Sequence, residues 1–387
     1  MQDEIAYTPN VARIPTSLDS SYPLKVAYDA KAFVDADHGT GKGAQLRTLL
    51  GSFGPLFTGL APPGPNNSSL PLIQRGTSRY LLWQQTALPR LLAELKPDVF
   101  LAPYNTAPLR IPSETKLVSV VHDLILLETL SEAPIARRLR DAYRAVLLEH
   151  AIRRSSLVLT VSQFTAGKLR QRYPESNLRV INCTVPPSWF VRNQLIPTEH
   201  RGLYILMVTS NVAHKNIPRA LAAFARYKAL DPSSKLKLNM VGVSSSAEFF
   251  RAMAENLGIR DSLVIEPFLS ETDLQTLYRN ALCVLIPSEI EGFGIPALEA
   301  MSSGTPIVSS NASSLPEVCG SAPLYFDPRN VEEMAQSLLR ICTDAPLRRH
   351  LIKEGLDRAE RFHPDRIRDE VTKFWRELPA LHSSWKK

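Results

Sequence analysis

Cysteine is scarce: four residues among 387, at Cys183, Cys283, Cys319 and Cys342. They are widely spaced with no Cys-x-x-Cys, so neither a zinc site nor a disulfide framework is indicated, and Cys283 reads as core. Long apolar runs are missing too, and no stretch reaches the length needed to cross a membrane. Residues 1–20 are polar and carry Asp3 and Glu4, which does not read as a secretory leader. Neither half has a G-x-G-x-x-G after its first strand, which argues against an ordinary dinucleotide oxidoreductase. Gly39-Thr40-Gly41-Lys42-Gly43 is not a P-loop, because the spacing is wrong and Lys42 is followed by Gly43. An arginine-rich arm, zinc-finger spacing and aromatic-basic interleaving are all absent, so no nucleic-acid partner is expected. The expectation is a cytoplasmic protein, with contact at the inner face of the cell membrane left open.

What is present fits a globular α/β chain. Hydrophobic residues make up 44% and charged residues 21%. Lys and Arg number 45 against 38 acidic residues, a net charge of +7 that suits anionic substrates or lipid headgroups. The length favours two domains. Strand patterns at 24–28, 98–103, 117–121, 157–161 and 178–181 alternate with helical patterns at 44–50, 81–95 and 137–154. Residues 61–75 are rich in Pro, Asn and Ser and read as a surface loop. Pro186, Pro187 and Pro197 mark a joint, after which strand and helix alternate again from 204. The expected division is 1–195, 196–364 and a last helix over 365–387. Ile367, Val371, Phe374, Trp375 and Leu378 form one stripe of that helix. It covers core, crosses back to the first domain or touches a membrane; packing on the protein is the favoured reading. The fold class is α/β, two Rossmann-like domains facing a cleft.

The chain is organised around Pro287-Ser288-Glu289-Ile290-Glu291-Gly292-Phe293-Gly294-Ile295-Pro296-Ala297-Leu298-Glu299-Ala300-Met301. An apolar strand precedes it and a helix closes it, so an acidic glycine loop lies at the carboxyl edge of a sheet, where ligands bind. N–H groups at a helix start welcome phosphate. Glu291 and Glu299 can accept paired hydrogen bonds from sugar hydroxyls. The pattern suits a phosphorylated, polyhydroxylated ligand; the bland alternative is a loop with two solvated glutamates. His122-Asp123 ends another strand, where a core histidine is the competing reading. The segment 39–43 is a ligand-contacting loop or a simple turn.

The run from Ser288 to Met301, followed by Gly304-Thr305-Pro306-Ile307-Val308, closely resembles the signature of retaining GT-B glycosyltransferases of family 4. Its two glutamates, Glu291 and Glu299, are separated by seven residues. Lys215-Asn216, Asp273-Leu274 through Leu277-Tyr278-Arg279-Asn280-Ala281, Ser314-Leu315-Pro316-Glu317-Val318 and Gly320 fit as well. So do Gly39 to Gly43, His122-Asp123 and Val161-Ser162-Gln163-Phe164-Thr165 in the first half. The resemblance is strongest over 200–328 and weaker before 120. It implies a GT-B fold with the donor nucleotide sugar mainly in the second domain. It gives His122, Glu291 and Lys215 catalytic roles. It assigns donor binding to Lys215, Asn216, Gly292, Phe293, Gly294, Ile295, Glu299 and Gly41. Lys215 is expected on the diphosphate, Glu299 on the ribose and Glu291 beside the transferred sugar. No metal or other cofactor is expected. GDP-mannose is the first expectation for the donor and a UDP-sugar the second. A saccharide or polyprenyl-pyrophosphate-linked acceptor of bacterial polysaccharide or lipopolysaccharide assembly would receive the sugar. A sugar-nucleotide epimerase and a non-catalytic binding module are the alternatives. Two positions depart from the family pattern, Thr209 in place of glycine and His214 in place of arginine, and His214 would titrate near neutrality if left to itself.

Overall fold

The protein is described by a computed structural model, which covers residues 22–34, 41–66, 68–129, 135–191, 201–267 and 269–385. The expected domain boundary at 195/196 lies outside these residues, as do Gly39 and Thr40. In the first half, strands β1 (Val26–Asp29), β2 (Thr58–Ala61), β3 (Leu72–Gln74), β4 (Val99–Ala102), β5 (Lys116–Val121), β6 (Leu157–Thr160) and β7 (Leu178–Val180) form one sheet. Its order is β3-β2-β1-β4-β5-β6-β7, parallel throughout. Its helices are α1 (Gly41–Leu50), α2 (Tyr80–Leu95), α3 (Ile125–Thr129), α4 (Ile135–Arg154) and α5 (Gln163–Arg172). The second sheet holds β8 (Tyr204–Val208), β9 (Lys237–Val241), β10 (Leu263–Ile265), β11 (Cys283–Ile286), β12 (Ile307–Ser310) and β13 (Pro323–Phe326). Its order, β10-β9-β8-β11-β12-β13, is also all parallel. Its helices are α6 (Ile217–Leu230), α7 (Ala247–Asn256), α8 (Glu271–Asn280), α9 (Ile295–Ser302), α10 (Leu315–Cys319), α11 (Val331–Thr343) and α12 (Ala345–Ala359), and α13 (Pro364–Ser384) ends the described chain.

Parallel strands buried on both faces read as unbroken apolar runs, and Cys283-Val284-Leu285-Ile286 is one such run, wholly buried. This made most strands legible. Two were not. The sequence reading assigned 61–75 to a surface loop, yet β3 lies within it. Two half-buried residues and an exposed glutamine at a sheet edge carry too little apolar pattern to announce a strand. β2 is interrupted by Gly59, where a Cβ would come within 2.3 Å of Leu72 Cδ2 and 2.9 Å of the Tyr28 hydroxyl. A side chain there would have to displace those of Leu72 and Tyr28. A second correction concerns the expected glycine loop: Gly41, Lys42 and Gly43 form the first turn of α1.

Helix α13 supplies a face of the first domain's core. Ile367, Val371, Phe374, Trp375 and Leu378 are buried in one cluster with Leu46, Leu50, Phe53 and Phe57. The Trp375 and Phe57 ring centroids are 4.5 Å apart. The Trp375 indole N–H donates to Leu49 O at 2.6 Å, and the Tyr22 hydroxyl donates to Trp375 O at 2.6 Å. Each such side chain contributes about 1.5–3 kcal/mol by leaving water.

Candidate active site

In an open parallel sheet, ligands bind outside the carboxyl ends of the strands where the order reverses. In the second sheet that point lies between β8 and β11. The loops leaving these strands, 209–216 and 287–294, are joined there. The Glu289 N–H donates to His214 O at 2.8 Å. Asn216 sits in the left-handed region with φ 56°. Its side-chain amide donates to Pro287 O at 3.0 Å and Pro328 O at 2.7 Å, and its Oδ1 accepts from Arg219 at 3.0 Å. Every polar atom of that side chain is engaged, so Asn216 positions the lysine before it.

Lys215 Nζ lies 2.6 Å from Glu291 Oε1, with the side chains 17% and 11% exposed. Three serines hold the Glu291 loop from below. Ser310 Oγ donates to Ser288 O at 2.6 Å, the Glu291 N–H donates to Ser313 Oγ at 2.9 Å, and Ser314 Oγ lies 3.0 Å from the carbonyls of Glu291 and Phe293. Gly294, at φ 103°, turns the chain into α9, and a Cβ there would meet Leu315 Cδ2 at 2.8 Å. Ile295 opens α9 with Pro296 beside it, where a missing N–H costs no helical bond. The buried Phe293 ring packs edge-on against Phe362.

Glu299, one turn into α9, accepts from the Tyr278 hydroxyl at 2.7 Å. Burial pushes its carboxyl up to about 7; Glu271 adds to the rise, while Tyr278 and Lys215 oppose it. His214 is held below its ordinary range by burial and by Lys215, against the pull of Glu291, Asp123 and Glu289.

Across the cleft, β5 delivers His122. Its backbone N–H donates to Asn105 Oδ1 at 2.7 Å, and its Nε2 lies 2.7 Å from Pro103 O. A carbonyl only accepts, so Nε2 carries the proton and Nδ1 keeps its lone pair. Burial, and then Lys42, pull the imidazole down to about 4, so it is neutral at physiological pH. Lys42 itself is lowered by burial, with Asp123 opposing and Arg144 and Lys31 reinforcing the fall. Its neighbour Gly41 begins α1 at the same end of the domain. The two halves touch: a Cβ on Gly292 would lie 2.2 Å from the His122 carbonyl oxygen, and Ser162 Oγ donates to Gly292 O at 2.7 Å. Lys215, Glu291, the 292–295 segment and Glu299 are thus gathered in one region, with His122 backed against Gly292. The sequence reading gave no part to Tyr278, Ser310 or Ser313 in this arrangement. Their hydroxyl partners lie on other segments, and nothing local announces them. Among the described residues, no three His, Cys, Asp or Glu side chains gather as a metal site.

Comparison with known proteins follows this layout. Residues 50–189 match the model of Glycosyltransferase Family 4, and residues 194–358 that of Glycosyl transferases group 1. The chain is similar to O-antigen chain mannosyltransferase B of Escherichia coli, 27% identical over 259 residues, which cover 64% of this chain and 66% of that one. It is 30% identical over 254 residues to the MMP alpha-(1->4)-mannosyltransferase of Mycolicibacterium hassiacum, covering 63% of this chain and 60% of that one. Against the serotype-specific mannosyltransferase WbdA of Escherichia coli it is 27% identical over 72% of this chain, which spans only 36% of that protein's length. Among solved structures, the sucrose-phosphate synthase of Thermosynechococcus elongatus superposes with a TM-score of 0.74 at 18% identity, covering 92% of this chain and 99% of that one. WaaG, a glycosyltransferase involved in lipopolysaccharide biosynthesis, gives 0.70 at 18%, covering 90% and 99%. The two family models, one on each sheet, and the shared two-sheet architecture establish that the chain belongs to the GT-B fold glycosyltransferases of the group 1 and family 4 superfamily.

Proposed function

We propose that this chain transfers a sugar from a nucleotide-sugar donor to a saccharide or lipid-linked acceptor with retention of configuration, GDP-mannose being the favoured donor and a UDP-sugar the second. The observation that carries this reading is the Lys215–Glu291 pair at the order reversal of the second sheet, with the first turn of α9 beside it. The similarity to several mannosyltransferases supports the choice of sugar.

Breaking the anomeric bond puts negative charge on the leaving diphosphate and positive charge on the sugar. Lys215 and the N–H groups of the 292–295 segment would meet the first as preorganised donors. Glu291 would orient the sugar and steady its positive charge. The acceptor hydroxyl would attack on the face that the diphosphate leaves, and the departing phosphate would take its proton. Glu299 would hold the ribose hydroxyls. Neutral His122 would face the sugar, and Lys31, Lys42 and Arg144 would make the first-domain wall positive. On this reading the domain boundary falls at 195/196, and closure would exclude water from the donor.

A membrane-surface acceptor is supported by α4. Leu139 is 86% exposed, Val146 57% and Tyr143 40%, spaced along one stripe among Arg138, Arg140 and Arg144. An apolar stripe flanked by arginines suits an anionic lipid interface. No described helix is long and apolar enough to cross a membrane.

The test is calorimetric titration with GDP, UDP, ADP and dTDP and their common sugars, repeated with Glu299→Ala. One preferred nucleotide, lost in the variant, is the expected result. Binding of none by the unsubstituted protein would favour a requirement for acceptor first or a non-catalytic role. Turnover without acceptor would favour epimerase chemistry.

A further inference from the structure

We propose that Glu317 is a positioning residue that clasps the second domain onto the first and fixes the distance across which His122 and Glu291 face each other. Its carboxylate is bound by backbone: Glu317 Oε1 accepts from the Gln163 N–H at 2.7 Å and Oε2 from the Phe164 N–H at 2.8 Å. These are first-turn amides of α5, which have no acceptor inside their own helix and carry the positive end of its dipole. A carboxylate from the other half of the chain therefore completes this helix start. The helix's own cap joins in, because Ser162 Oγ accepts from the Thr165 N–H at 3.1 Å and donates to Gly292 O at 2.7 Å.

The two contacts are mechanically one on the second-domain side. Ser314, which opens α10, lies 3.0 Å from the carbonyls of both Glu291 and Phe293, and Glu317 sits one turn further along the same segment. Arg358 anchors that segment by donating to Val318 O at 2.8 Å. A movement of α10 relative to α5 therefore carries the Glu291 loop with it. Both carboxylate oxygens are used on adjacent backbone amides, so the geometry is set by main chain and leaves little freedom of side-chain rearrangement.

The clasp stands on these contacts alone; its effect on turnover rests on the glycosyl-transfer reading. The experiment has one arm for each. Amide hydrogen exchange at Gln163 and Phe164 is measured in the full chain and in Glu317→Ala, Glu317→Gln and Ser162→Ala, with the thermal midpoint as a folding control. Exchange should rise at least about tenfold in Glu317→Ala and less in Glu317→Gln, which keeps one acceptor oxygen. Unchanged exchange in a folded Glu317→Ala would overturn the clasp. Steady-state kinetics should then show kcat reduced about tenfold in Glu317→Ala, donor KM within about twofold, and partial recovery in Glu317→Gln. Faster exchange with unchanged kcat, or a loss confined to donor KM, would overturn the positioning role. If the unsubstituted protein turns over no donor, the glycosyl-transfer reading fails while the exchange arm still decides the clasp.

Discussion

The two sheets follow one plan, yet their carboxyl edges carry opposite chemistry. In each, the order reverses beside the first strand of its half, between β1 and β4 or between β8 and β11. At the second reversal point a lysine and a glutamate meet at 2.6 Å. At the first, Asp29 is wholly buried, accepting from the Tyr80 hydroxyl at 2.6 Å and the Lys31 N–H at 3.1 Å. Tyr104 accepts from the Ala32 N–H at 2.9 Å, and Gln84 donates to the Tyr80 hydroxyl at 3.0 Å. Burial pushes Asp29 up to about 6 and both tyrosines well above their ordinary value. Lys31 Nζ lies 4.6 Å from the centroid of the Tyr80 ring. Topology places an opening at both edges, and the residues hung there decide what it takes. The second is built around charges that a diphosphate can engage. The first holds a buried carboxylate in a network of tyrosine hydroxyls, with Lys31 over the Tyr80 ring.

The largest effect that would break this comparison concerns α13, which follows the second domain in sequence but packs in the first domain's core. Trp375→Ala removes its indole from that core and leaves Leu49 O without its donor. A loss of about 3–5 kcal/mol is expected, read by calorimetry as a lowered transition of the first domain. If the second domain's transition fell instead, the assignment of α13 to the first core would fail. Gly292→Ala comes next. Its methyl would meet the His122 carbonyl oxygen, so the domains could not reach this approach. Turnover should fall by about a hundredfold, since a 1 Å misplacement costs that much, while nucleotide affinity measured by calorimetry stays near normal.

Lys215→Ala sharpens the charge difference between the two edges. One charge-assisted bond is worth about 1.5–3 kcal/mol, so kcat/KM should drop at least about tenfold, and a normal value in steady-state assays would remove Lys215 from the site. The smallest effect is in pH. Burial pushes Glu299 up to about 7, and on the proposed reading ribose hydroxyls would bind its ionised form. Below that pH, donor binding must therefore expel a proton. Affinity should fall about eightfold from pH 7.5 to pH 6, and titrations with Glu299→Gln should show no such step. A fall that persists in Glu299→Gln would assign the proton to another group.

The second domain was the more legible half because its signals are local. Cys283 to Ile286 is an apolar run, Gly292 and Gly294 mark a turn, and Ala297 to Met301 reads as helix, so the element and its acidic loop could be placed from neighbours in sequence. β2 was missed because Thr58-Gly59 breaks its apolar run, and β3 because it lies in a stretch rich in Pro, Asn and Ser. The 39–43 segment read as a loop because glycines suggest turns, but Gly41 to Gly43 continue into α1 once that helix is packed against α13.

The sequence by itself determined the alternation of strand and helix, the stripe on α13 and the acidic glycine loop, because each depends on the period of neighbouring residues or on a backbone turn. Tertiary structure alone decided that Lys215 pairs with Glu291, that Tyr278 reaches Glu299, and that Glu317 caps α5 from the opposite domain. These partners are separated by 76, 21 and more than 150 residues. No local pattern encodes such meetings; the strand order that closes each sheet and the packing of one half on the other bring them within bonding distance.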